Sequence, residues 1–156
     1  MSLRLFGYAC LAIIAGAIVS TALLIAWWAA DRALPVRVHY SWLATENVTP
    51  GSYLHIRQEV EYVRDCRAHV DRVVYDSHTH RYFPEDIDYE RPPQGLGTHV
   101  ITFKIWVPED FQPGPAFYRA TPLYACNMLQ RYYWPITRPD TVIEFDIVPK
   151  GVEAAQ

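Results

Sequence analysis

Residues 54–66 read LHIRQEVEYVRDC, and the fold of this chain turns on their alternation. Leu54, Ile56, Val60 and Tyr62 fall on even positions, whereas His55, Arg57, Glu59 and Glu61 fall on odd ones. Successive side chains of a strand point to opposite faces, so this period describes a strand buried on one side and wet on the other. The same period returns downstream. Ile101, Phe103, Ile105 and Val107 alternate with Thr102, Lys104 and Trp106, and Ile143, Phe145 and Ile147 alternate with Glu144 and Asp146. Further strands fit Val36–Leu43, Val70–Asp76 and Tyr118–Met128. Turn formers punctuate them at Thr49-Pro50-Gly51, at Pro92-Pro93 with Gly95, at Pro113-Gly114-Pro115 and at Pro139-Asp140. No stretch beyond residue 30 shows a helical stripe. Six or seven antiparallel strands in about 120 residues predict a β-sandwich over 36–149, with 150–156 as a flexible tail.

Before the strands lies different material. Leu5 to Ala30 is an unbroken apolar run without a charge. At about 1.5 Å per helical residue it is long enough to cross a hydrocarbon core of about 30 Å. A cleaved signal peptide has an apolar region of about 7–15 residues, which Ala12 to Ala26 alone matches or exceeds. Trp27-Trp28 followed by Asp31-Arg32 read as an aromatic belt and a polar exit. The expectation is a retained signal anchor, with 1–4 as a short cytoplasmic N-terminus, 5–30 as the transmembrane helix and 31–35 as a juxtamembrane linker. Arg4 on one side and Arg32 and Arg37 on the other leave the charge rule for orientation nearly balanced. Ala12, Gly16 and Ser20 recur every four residues on one helix face, a small-residue stripe that suits self-association into a homodimer.

Residues 33–156 hold 12 basic and 16 acidic residues, a net of −4. That balance argues against nucleic acid or an anionic lipid surface as the main partner. The chain has no Gly-x-Ser-x-Gly elbow and no glycine-rich phosphate loop, so no catalytic residue is assigned and no enzyme is expected.

Cys66 closes the first long strand and Cys126 lies late in another, with Tyr124 two residues before it. This arrangement resembles the Ig-like and fibronectin-type sandwiches, in which a disulfide joins strands B and F and a tyrosine corner precedes the second cysteine. Pro113-Gly114-Pro115-Ala116-Phe117-Tyr118 is similar to the turn entering strand F of such modules. The usual Asp-x-Gly before the corner Tyr is missing, and Val70–Asp76 supplies no strand-C Trp. The resemblance implies a Cys66–Cys126 bridge; two unpaired thiols in a reducing compartment are the alternative. A bridge favours export of the domain, and with it a place in the bacterial inner membrane facing the periplasm. Tyr124-x-Cys126-Asn127 followed by Trp134-Pro135-Ile136 is also similar to small single-pass proteins of bacteria and tailed phages.

Two sites follow from residue chemistry. Arg131, Tyr132, Tyr133 and Trp134 form a dense aromatic and Arg cluster beside Pro135, the residue types that dominate protein interfaces. Asp76, His78 and His80 offer a carboxylate and two imidazoles, a donor set suited to Zn²⁺ or Cu²⁺. Otherwise no cofactor is expected. The leading expectation is a non-enzymatic interaction or assembly module of the cell envelope, binding lipid through 5–30 and a protein through Arg131–Trp134. The alternatives are a metal-binding ectodomain accessory to a membrane complex and a phage-encoded lysis or exclusion factor.

Overall fold

The computed structural model describes residues 3–151. Of the expected N-terminal segment, Met1 and Ser2 lie outside them, as does 152–156 of the expected tail. Helix α1 runs over Leu3–Ala30, and every side chain from Arg4 to Trp27 except Cys10 is exposed. Ala, Leu and Ile dominate it, and no proline interrupts it. A helix apolar on all sides, with no buried residue among those described, is a candidate membrane span.

Nine strands and one short helix follow: β1 Val36–Leu43, β2 Tyr53–Tyr62, β3 Arg67–Tyr75, β4 Arg81–Tyr82, β5 Ile87–Tyr89, β6 Gly97–Trp106, β7 Gly114–Ala125, α2 Met128–Tyr132, β8 Ile136–Thr137 and β9 Thr141–Ile147. The first sheet has the order β1-β2-β6. The second is built on β4-β3-β7-β8, with β5 also paired to β3 and β9 to β7. Every ladder within these sheets is antiparallel. The count exceeds the six or seven expected because β4, β5 and β8 are only two or three residues long, too short to show a period.

The core fills the space between the two sheets. Leu54, Ile56 and Ile105 of the first sheet meet Val74, Tyr118 and Phe145 of the second. Nearer α1, Val36, Val60 and Tyr62 meet Ala68, Tyr124 and Ile136. Leu54, Ile56 and Ile105 are at most 1% exposed, and burying each such side chain contributes about 1.5–3 kcal/mol. The even positions of 54–62 are indeed the buried ones.

Four expectations are corrected. The strand read over 54–66 ends at Tyr62, because the N–H groups of Val63 and Arg64 both donate to the Pro35 carbonyl and turn the chain. Cys66 therefore stands just before β3 instead of closing β2. The Cys66–Cys126 bond exists, with Cα atoms 4.5 Å apart, but it does not cross between sheets. Arg67 pairs with Ala125 on the adjacent strands β3 and β7, so the bridge clamps the end of one ladder. Tyr124 accordingly sits at the end of β7, not at its start, and packs into the core; a tyrosine corner is not built there. Finally, the strand expected over Tyr118–Met128 begins at Gly114 and stops at Ala125, and Met128 opens a helix.

Candidate functional site

Among the described residues, several polar contacts between distant parts of the chain gather at the junction between α1 and the β domain. Asn127 caps α2, its Oδ1 accepting from the Gln130 N–H at 3.0 Å. Its Nδ2 donates to the Trp28 carbonyl at 3.2 Å. Gln130 is 1% exposed, and both ends of its amide are engaged: Oε1 accepts from the Cys126 N–H at 2.8 Å, and Nε2 donates to the Asp31 carbonyl at 2.5 Å. Arg64 forms a two-pronged pair with the Asp31 carboxylate and also reaches the Ala33 carbonyl. That hydrogen bond holds the Asp31 carboxyl below its ordinary range. Arg32 donates to the carbonyls of Trp134 and Pro135 at 2.8 and 2.9 Å, with its guanidinium 4.7 Å from the Trp134 ring centroid. Residues 31–35 are thus tied to the domain at several points, and Pro35 itself is buried.

The cluster Arg131–Trp134 is part of this junction. Tyr132, Tyr133 and Trp134 are 65, 83 and 55% exposed, and Arg131 makes a two-pronged pair with Glu90. Arg131 lines one cleft with Trp28, and Trp134 meets Arg32, at the α1 end of the domain. On α1 itself, Ala12, Gly16 and Ser20 are exposed, and nothing lies within 4 Å of where a Gly16 side chain would begin.

A second aromatic surface lies on the outer face of the first sheet. β1 holds a bulge at His39: Val38 pairs with Val60, but Tyr40 pairs with the next residue, Glu59. One extra residue reverses which face the following side chains take. Val36 and Val38 point into the core, whereas Tyr40 and Trp42 point out beside Glu59 and Arg57. Tyr53 and Trp106 pair across β2 and β6 on the same face, their rings edge to face at 5.0 Å, with the Lys104 ammonium 4.9 Å from the Tyr53 ring. Sequence reading missed this face because Val36, Val38, Tyr40 and Trp42 all share one parity.

Asp76, His78 and His80 are brought together, but Asp76 is already engaged. Its Oδ1 accepts from the His78 and His80 N–H groups, and its Oδ2 from the Gln112 N–H and the His80 Nδ1. Burial works against the charged form, yet the donors from Gln112, His80 and His78 prevail and lower the carboxyl's pKa. The arrangement fixes the loop after β3, and the His78 and His80 rings stand 6.4 Å apart. Another donor cluster, His69 with Asp71 and Asp86, was not singled out in the sequence because β3 and the connection between β4 and β5 supply its members. His69 hydrogen-bonds to Asp88 at 2.9 Å and to Asp71 at 3.1 Å, which raises its pKa.

No protein-family model matches this chain, and no curated protein matches it by sequence. Solved structures similar to it include the β-glucosidase EmGH1 from Erythrobacter marinus (TM-score 0.44, 12% identity, 72% of this chain and 15% of that one). The sporulation control protein Spo0M from Bacillus subtilis (0.40, 13%, 75% and 50%) and the C-terminal domain of wzt (0.45, 13%, 74% and 75%) are two others. The chain spans 15% of the length of the first and half of the second. Likenesses at this level carry no argument about function.

Proposed function

We propose that this chain is a single-pass membrane protein whose β domain stands outside the cytoplasm as a non-enzymatic interaction or assembly module of the cell envelope. Three observations support the location. α1 is long, apolar and unburied, its polar exit follows two tryptophans, and Cys66 and Cys126 are bridged. Structural disulfides persist in oxidising compartments, which favours the periplasmic side of a bacterial inner membrane. The domain is Ig-like in our reading. What supports it is a pair of facing antiparallel sheets, β1-β2-β6 and β4-β3-β7-β9, although its disulfide is placed differently from that of an antibody domain.

The observation that carries the interaction reading is the outer face of the first sheet. Tyr40 is 69% exposed, and it shares this face with Trp42, Tyr53, Trp106 and Arg57 at the part of the sheet farther from α1. Tyr, Trp and Arg are enriched where protein partners bind, because they bury large area with few rotors. In this reading the protein-binding role is given to this face in preference to Arg131–Trp134, where the Arg131 side chain pairs with Glu90 and the Trp134 carbonyl holds Arg32. A photo-crosslinking residue at Tyr40 in the full chain, in its native membranes, should give one adduct of defined mass. The double substitution Trp42→Ala and Tyr53→Ala should abolish it, and the same probe at Val142 on the other sheet should not form it. Equal labelling from both faces would sink the assignment.

A further inference from the structure

We infer that α2 and the residues after it, Met128 to Trp134, are seated in the headgroup layer of the bilayer, forming a second aromatic belt beside Trp27. This rests on the membrane reading above and goes beyond it, because it assigns lipid to a cluster whose residue types suit a protein partner. The 28 residues of α1 extend about 42 Å at 1.5 Å each, against a hydrocarbon core of about 30 Å within a bilayer of about 40–45 Å. Roughly one turn at each end therefore lies in the polar layer, and at the domain end that turn contains Trp27 and Trp28.

The junction bonds then fix the depth of α2. Asn127, at the start of the segment, donates to the Trp28 carbonyl; Trp134, at its end, accepts from Arg32. The segment is bracketed between two residues four apart on the chain that leaves the membrane. Gln130, midway along it, is bonded to the Asp31 carbonyl. A segment pinned at residues 28, 31 and 32 has no freedom to stand clear of the surface from which those residues emerge. Its side chains suit that layer. Met128, Tyr132, Tyr133 and Trp134 are all more than half exposed, as is Trp27 at 75%. Tyr and Trp concentrate at the membrane–water boundary, where an apolar ring and a polar tip are both accommodated. Arg32 and Arg131 lie among them but are engaged within the protein, Arg32 by the Trp134 and Pro135 carbonyls and Arg131 by Glu90, so the aromatic rings and Met128 carry the contact with lipid.

Depth-dependent quenching tests this in the full chain carrying Cys10→Ser, with the Cys66–Cys126 bridge intact, reconstituted in phosphatidylcholine–phosphatidylglycerol vesicles. An environment-sensitive fluorophore is attached to a single new cysteine: Tyr133→Cys, Met128→Cys, Trp27→Cys or Tyr53→Cys. Nitroxides on the lipid headgroup should quench the probes at 133, 128 and 27 by at least about twofold more than the probe at 53, as expected for residues in the interfacial layer. Aqueous iodide should reverse the order. If the probes at 133 and 128 behave like that at 53 while the probe at 27 is lipid-quenched, the belt is wrong and the membrane reading stands. Probes at 133 and 128 shielded from both quenchers would mean that protein covers the patch, which also overturns the inference. If the probe at 27 is open to iodide and the chain floats free of vesicles, the membrane reading itself fails.

Discussion

Asp76 is almost fully buried at the end of β3 and accepts four hydrogen bonds, three of them from backbone N–H groups. Removing it strands those donors, and each buried unpaired group costs about 1–3 kcal/mol. Asp76→Ala should therefore lower stability by about 3 kcal/mol or more in urea unfolding of the detergent-solubilised chain; a change under about 0.5 kcal/mol would show that the loop is held by something else. Because the folded pKa lies below the ordinary 3.8, the carboxylate's contribution is complete above that value and is lost as pH falls through the folded one. His69 has the opposite sign. Its pKa is raised by Asp88 and Asp71, so its contribution is complete below 6.5 and fades as pH rises through the folded value. His69→Gln should remove that dependence, measured as the difference in unfolding midpoint between pH 6 and pH 8. The His-x-His spacing was legible in the sequence. That Asp76 spends both oxygens on the loop was not, since Gln112 approaches from 36 residues away.

At the scale of elements, the bulge in β1 decides which side chains are displayed. Val38 pairs with Val60 and Tyr40 with Glu59, so His39 is the extra residue in the ladder. Deleting His39 should leave both the register and the outward aromatic face intact, with a midpoint change of only a few degrees by circular dichroism. Loss of folding on that deletion would mean that the bulge itself is required. The bounds of β1 were readable from sequence to the residue, yet its faces were not, because a single parity runs through valines and aromatics alike. α2 escaped for a different reason. Five residues give no periodicity, and only its Asn127 cap carried a local signal. Gln130→Ala should release the Cys126 N–H and the Asp31 carbonyl together and loosen the junction. Faster proteolysis or hydrogen exchange across 31–35, with the β core still protected, is the expected result; unchanged exchange there would show that Arg64 and Arg32 hold the junction alone.

For the whole molecule, the Cys66–Cys126 bond closes a loop across a 60-residue separation and clamps the ladder end nearest α1. On the chain-entropy view such a loop contributes about 4 kcal/mol. Reduction, or the paired change Cys66→Ser and Cys126→Ser, should lower unfolding stability by about that amount and weaken the α2 junction first, because Gln130 anchors the Cys126 N–H. Denaturation curves with and without reductant check it. The bridge, the Arg64–Asp31 pair and the Arg32 contacts all gather at one end of the domain, so the β domain is joined to α1 by a braced corner, not a free tether.

The sequence by itself determined the elements that period and composition specify: the apolar helix, the six long antiparallel strands and the inward set Leu54, Ile56, Val60 and Tyr62. Each rests on local side-chain alternation or on length, which a linear chain displays openly. Only the tertiary structure decided which residues meet. It set the disulfide on neighbouring strands, turned Tyr40 and Trp42 outward and drew Arg131–Trp134 against the exit of α1. These depend on one inserted residue, one carbonyl at Pro35 and hydrogen bonds spanning about a hundred residues, none of which leaves a periodic trace.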